Sequence, residues 1–227
     1  MDEAQVILDA IEHLKPPTVP TFALRNLQIV PGGYGEGDTL YGVSVPLLRK
    51  IAKNNRSISL KTCEKLLQQS LHEARYMALV LLNEKFPKNP HDVLGIYLRN
   101  TKFINNWDLV DVSASHIVGK FCLQTGNNDV ILNLAGKGNL WENRIAVVAT
   151  LPLIKSGQFA LTFQLCEQFL HHPHPLMHKA CGWMLREISK RDVESVFVFF
   201  RRHPDTPSVM RRYALEWVRR TAENHIV

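Results

Sequence analysis

The feature that most constrains this chain is a recurrence. A basic residue leading into an apolar run appears at Arg75 (EARYMALVLLNEKF), Arg144 (ENRIAVVATLPLIK), Lys179 (HKACGWMLREISK) and Arg212 (RRYALEWVRR). The segment WDLVDVSASHIVGKF around Asp111 fills the gap between the first two, so that successive steps are 36, 33, 35 and 33 residues. A step of that length accommodates two helices and their turns. One helix pair cannot bury its own apolar face, but a stack of pairs buries a continuous core.

The rest of the pattern agrees. Apolar residues recur at spacings of three and four, which predicts helices over 4–14, 19–29, 46–54, 60–70, 72–86, 91–100, 106–122, 127–136, 140–155, 158–171, 175–190, 192–202 and 207–224. Breakers separate them: Pro16-Pro17, the glycine-rich loop GGYGEGD at 32–38, Pro87 and Pro90, Gly136 and Gly138, Gly157, Pro173 and Pro175, and Pro204 and Pro207. No convincing run alternates apolar and polar residues. The expected fold is therefore all-α, a HEAT-like or armadillo-type α-solenoid (an α-α superhelix) of stacked helix pairs, forming one domain over 1–227. Its inner helices would line a concave surface onto which Asp111, Arg144 and Lys179 project from equivalent positions.

Charge suggests what that surface meets. Residues 1–113 carry 13 Lys and Arg against 12 Asp and Glu, whereas residues 114–227 carry 14 against 9. The later excess lies in Arg186, Lys190, Arg191, Arg201, Arg202, Arg211, Arg212, Arg219 and Arg220. A one-sided basic balance suits a polyanion such as nucleic acid. Cys63, Cys122, Cys166 and Cys181 sit among apolar residues without a CxxC pair, which reads as reduced thiols in a cytoplasmic protein. No stretch has the ~18 uninterrupted apolar residues of a membrane helix, and the acidic amphipathic start, MDEAQVILDAIEHLK, is unlike a signal or transit peptide.

The segment Asn105-Asn106-Trp107-Asp108-Leu109-Val110-Asp111 is the most informative about chemistry. Asn105 or Asn106 suits a helix N-cap, so that Trp107 opens a helix and Asp111 lies one turn on, on the same face. Asp108 falls in the first turn, where the helix dipole favours a carboxylate. An indole beside a carboxylate can hold a cation, the first by cation–π attraction and the second by charge. The competing reading is a partly buried Trp next to a dipole-favoured Asp. Arg144 and Trp183 (in CGWMLRE) fall on equivalent faces, with a salt bridge and core packing as their alternatives.

WDLVD, LWENRIAVVA and HKACGWMLREISK, in this order and spacing, resemble the AlkD-like family of DNA alkylation repair proteins, which are HEAT-like solenoids. The resemblance extends from YGVSVPLLRKIAK at 41–53 to the C-terminus. It implies a monofunctional DNA glycosylase that hydrolyses the N-glycosidic bond of cationic N3- and N7-alkylated purines, without a metal or other cofactor and without base flipping. The family's Trp–Asp pair matches Trp107 and Asp111, its Arg matches Arg144 and its second Trp matches Trp183. Its early-helix aromatic has Tyr34 as the nearest candidate, although Tyr34 lies in the GGYGEGD loop. Double-stranded DNA is the expected partner, held by Arg144, Lys179, Arg186, Lys190, Arg211 and Arg212. The protein is expected to act as a monomer in a bacterial-type cytoplasm, associated with the nucleoid when bound to DNA.

Two other segments carry chemistry-bearing residues. His171, His172 and His174, with Pro173 and Pro175 between them and His178 nearby, have no carboxylate or cysteine at ligand spacing, so a solvated inter-helix loop is expected there and no metal site. The GGYGEGD loop is neither a P-loop nor a dinucleotide fingerprint, and Glu36 and Asp38 in it disfavour phosphate. The alternatives to the glycosylase are a non-catalytic HEAT-like scaffold binding DNA or protein, and a relative that binds unusual DNA but has lost excision.

Overall fold

A computed structural model describes residues 2–224, with side chains through 221. The chain divides into two compact units, Met1–Ile117 and Val118–Val227. In the first, the helices are α1 (Glu3–His13), α2 (Thr21–Asn26), α3 (Val45–Asn54), α4 (Leu60–Leu67), α5 (His72–Lys85), α6 (Pro90–Arg99) and α7 (Trp107–Ser113), with a 3-10 turn at Thr101–Phe103. A π-helical turn, Ser115–Gly119, carries the chain across the division. In the second unit come α8 (Lys120–Thr125), α9 (Asp129–Ala135), α10 (Leu140–Ala149), α11 (Leu151–Lys155), α12 (Ala160–Gln168), α13 (Pro175–Ser189), α14 (Val193–Arg202), α15 (Ser208–Ala214) and α16 (Glu216–Asn224). The fold is all-α. Among the described residues the only β-type pairing is one isolated bridge, between Thr39 and Leu71.

The recurrent segments are the buried helices. In α5 the run from His72 to Leu79 is buried, together with Leu81 and Leu82, and in α10 the run from Asn143 to Ala149 is buried. A helix covered on nearly every side shows no polar stripe, which is why these two lack the amphipathic pattern of the outer helices. In the first unit α5 packs against α1, α3, α4 and α7. In the second, α10 packs on α9 and α13, and α13 also packs on α14 and α15. Within each unit, the helices marked by the period thus stack on one another in chain order. Among the described residues no helix is long and apolar enough to cross a membrane. All four cysteines are free and buried.

Three expected helices are interrupted, two of them beside an identifiable local feature. The segment 106–122 passes from α7 through the π turn into α8. At the end of α7 the Ser113 hydroxyl bonds back to Leu109 O at 2.6 Å and meets Tyr97 Oη at 3.0 Å, a side-chain competitor for the helix ladder. The segment 140–155 breaks at Thr150, whose hydroxyl donates to Val147 O and which precedes Pro152, a residue with no N–H to give. The segment 207–224 divides at Leu215.

Candidate active site

The start of α7 is built by side chains that satisfy groups other than their own. Asn106 is the cap: its side-chain oxygen accepts from Trp107 N at 2.9 Å, and its amide donates to Leu27 O at 2.8 Å. Asn106 is wholly buried, whereas Asn105 turns into a separate network. The Trp107 indole N–H donates to Asn26 O at 3.2 Å, and the Tyr34 hydroxyl donates to the same oxygen at 3.2 Å. The carbonyls at the end of α2, orphaned by the helix end, are thus taken by α7 and the glycine-rich loop. Trp107 is held at its polar edge.

Trp107 and Asp111 line one cavity of about 710 Å³ within the first unit. Its walls are α2 (Phe22, Asn26), the segment at 40–45, α3 (Leu48, Arg49), α5 (His72, Glu73, Tyr76) and α7. The i, i+4 spacing therefore does what the sequence suggested: it points an indole and a carboxylate into the same space. Glu73 fixes the wall opposite. Its Oε1 accepts from three successive backbone N–H groups, Tyr41 at 3.0 Å, Gly42 at 2.6 Å and Val43 at 3.2 Å. Gly42 has φ +85°, in the left-handed region that glycine adopts without strain.

Phe22 also lines this cavity and is 75% exposed, the most exposed large apolar side chain among the described residues. Sequence reasoning passed over it in favour of Tyr34, which does not line the cavity. A ring in the short helix after Pro20 carries no sequence mark of its exposure. Only the docking of α2 against α7 reveals it.

Beneath Trp107 lies a buried ionic network. His72 Nε2 is 2.8 Å from Asp108 Oδ2, and His72 Nδ1 is 3.8 Å from Asp38 Oδ2, within ion-pair reach but too long for a hydrogen bond. Arg75 Nη1 is 2.9 Å from Asp38 Oδ1 and donates to Asn105 Oδ1 at 2.8 Å. The Asn105 amide donates to Asp38 at 3.1 Å. Burial works against charge on His72, but Asp108 and Asp38 outweigh it and raise the imidazole to about 9. Burial likewise pushes Asp38 up, and His72, Arg75 and Asn105 overcome it, leaving its carboxyl below the ordinary value. The aspartate of the glycine-rich loop is thus an internal anchor. Arg75, the first residue marking the sequence period, is 6% exposed and is held by this anchor.

In the second unit Arg144 is 4% exposed, and its Nη1 donates to Leu176 O in α13 at 2.6 Å. The same α13 carries Lys179 and Trp183, both half-buried. Asn139 caps α10, accepting from Trp141 N at 2.8 Å, and His174 caps α13 through Nδ1, accepting from Leu176 N at 3.2 Å. Within the histidine loop His172 accepts from His174 N, and His171 lies 3.2 Å from Asp205, outside the loop. Among the basic candidates, Arg186 pairs with Glu216 at 2.5 Å and Lys190 with Glu187 at 2.6 Å. Arg211 donates to the carbonyls of His203, Pro204 and Thr206 and stacks over Phe200 at 4.7 Å. Arg212, next to it, is exposed.

No curated protein matches the sequence. A solved structure described as a predicted DNA alkylation repair enzyme from Enterococcus faecalis matches the fold with a TM-score of 0.69, at 17% identity, over 81% of this chain and 90% of that one. The sequence pattern of the family described as DNA alkylation repair enzyme matches residues 15–218, a span that contains Trp107, Asp111, Arg144 and Trp183. This chain belongs to the DNA alkylation repair enzyme family.

Proposed function

We propose that the protein is a monofunctional DNA glycosylase that excises N3- and N7-alkylated purines from double-stranded DNA. The observation that carries this reading is the placement of Trp107 and Asp111, one helical turn apart, on the wall of one cavity. An alkylated purine is already cationic and leaves neutral. The C1′–N9 bond breaks with its electron pair going to the base, and positive charge develops on the deoxyribose. Asp111 stabilises that charge, in a site where nearby apolar groups reduce hydration. Water adds at C1′ and loses its proton to solvent or to Asp111. Trp107 contributes cation–π attraction to the sugar and keeps bulk water out. Trp183 and Arg144 act as the second aromatic and the phosphate clamp, with Lys179, Arg186, Lys190 and Arg212 along the backbone. Since the base carries its own positive charge, the reaction needs neither a metal nor a general acid to drive departure; recognition without base flipping belongs to the same reading.

A non-catalytic scaffold binding DNA or protein is the second reading, and one observation favours it. Arg144 is almost fully buried, with part of its guanidinium spent on Leu176 O, and a phosphate clamp has to reach a phosphate.

Base release from duplex DNA bearing N7-methylguanine, and then N3-methyladenine, separates the two. The wild type is expected to release base. Asp111→Asn should be slower by about 10²- to 10³-fold with DNA affinity retained. An Asp111→Asn variant as fast as wild type would remove the electrostatic role, and a wild type that binds DNA but releases neither base would leave the scaffold.

A further inference from the structure

We propose that His72 is a positioning residue: bonded to Asp108, it fixes the roll of α7 and so the directions in which Trp107 and Asp111 face the cavity. What those two residues do there rests on the glycosylase reading; how they are held does not.

The start of α7 is over-determined. Asn106 already caps it, and Asp108 Oδ1 already accepts from Leu109 N at 2.8 Å. A helix start requires no more than that. Asp108 nevertheless gives its second oxygen to His72 Nε2 at 2.8 Å, and the His72 side chain is 4% exposed. Asp108 follows Trp107 directly and precedes Asp111 by three residues, so a restraint on its carboxylate acts on both. His72 is itself immobilised: its backbone N–H donates to Thr39 O at 2.8 Å, beside the single bridge between Thr39 and Leu71. The far side of its ring faces Asp38, which with Arg75 grips Asn105, the residue before the cap. Two separate grips, on Asn105 and on Asp108, thus flank Trp107. A seven-residue helix held only by its cap has rotational freedom, and the ion pair on Asp108 with the hydrogen bonds on Asn105 restricts it. Buried hydrogen-bonded polar groups favour one arrangement in this way.

The charges facing His72 are Asp38 from the loop, Asp108 and Asp111 from α7, Glu73 and Arg75 from its own helix, and Arg49 from α3. The ring is held up to about 9 by Asp108 and Asp38 against its own burial, so the grip is ionic at neutral pH and is lost on titration through that value. A misplacement of about 1 Å at a reacting centre costs on the order of 10²-fold in rate.

The test follows the imidazole nitrogens of His72 and the indole N–H of Trp107 by 15N NMR from pH 7 to 10, the latter assigned by its loss in Trp107→Phe. Single-turnover base release from N7-methylguanine duplex is measured over the same range. The indole signal and the release rate should both change with the midpoint of His72. Asp108→Asn should lower all the midpoints together. His72→Gln should release base about 10- to 100-fold more slowly with DNA affinity unchanged. An indole signal indifferent to His72, or a folded His72→Gln variant releasing base at the wild-type rate, would overturn the proposal. The wild-type titration needs no substitution, so a variant that fails to fold leaves it standing as a test. If Trp107 follows His72 but the wild type releases no base, the grip on α7 holds and the glycosylase reading falls.

Discussion

The arginines show how little a residue's type says about its task. Arg211 and Arg212 are neighbours with the same charge, yet Arg211 spends its guanidinium on the carbonyls of His203, Pro204 and Thr206 and lies over Phe200, whereas Arg212 is exposed. Arg212→Ala should therefore flatten the salt dependence of DNA binding by about 0.9 in the slope of log K against log salt, the contribution of one phosphate. Arg211→Ala should leave that slope alone and lower unfolding stability by about 1–3 kcal/mol, since three carbonyls lose a charged donor. Binding isotherms at several salt concentrations and urea unfolding of both variants check this, and a slope that changes for Arg211→Ala would refute the division of labour. The sequence could not make this distinction. It marked Arg75, Arg144, Lys179 and Arg212 by period, but Arg75 is claimed by Asp38 and Arg144 by Leu176 O, partners more than thirty residues away. By contrast, the Trp107–Asp111 relation was legible, because both residues lie on one short helix and i, i+4 geometry is local. Phe22 was not, because its exposure depends on how α2 meets α7.

At the level of elements, most of the helices were readable from apolar spacing, and α5, α13 and α14 fall within a residue or so of their expected limits. The breaks were less so: the π turn follows a Ser113–Tyr97 contact that no local pattern encodes. Glycine marks one contact between elements that the sequence left unexplained. Gly182, just before Trp183, lets α13 approach α15 so closely that a Cβ there would stand 2.6 Å from Tyr213 Cβ and 2.7 Å from Met210 O. One of these neighbours is backbone and cannot swing away, so the two helices would have to separate. Gly182→Ala should therefore destabilise the protein by about 1–3 kcal/mol, the range for overpacking a tight contact, despite alanine's better helix propensity. Thermal and denaturant unfolding measure it, and a variant as stable as the wild type would show that the α13–α15 contact relaxes freely.

For the whole molecule the open question is whether residues 1–227 unfold as one domain. The chain forms two compact units, but their division at Ile117 and Val118 lacks the marks of a linker. Both side chains are fully buried, and the division falls inside the continuous helical segment from Ser115 to Thr125, with no proline and with Gly119 as its only glycine. Gly119 itself is a close-packing position, where a Cβ would stand 2.2 Å from Ala149 O. Domain boundaries ordinarily run through exposed segments rich in proline, glycine or polar residues. We therefore expect one cooperative thermal transition whose calorimetric and van't Hoff enthalpies agree. Circular dichroism at 222 nm should lose signal together with Trp107 fluorescence, isolated by subtracting the Trp107→Phe variant. Two resolved transitions, with Trp107 following one and Trp183 the other, would instead establish two independently folding halves.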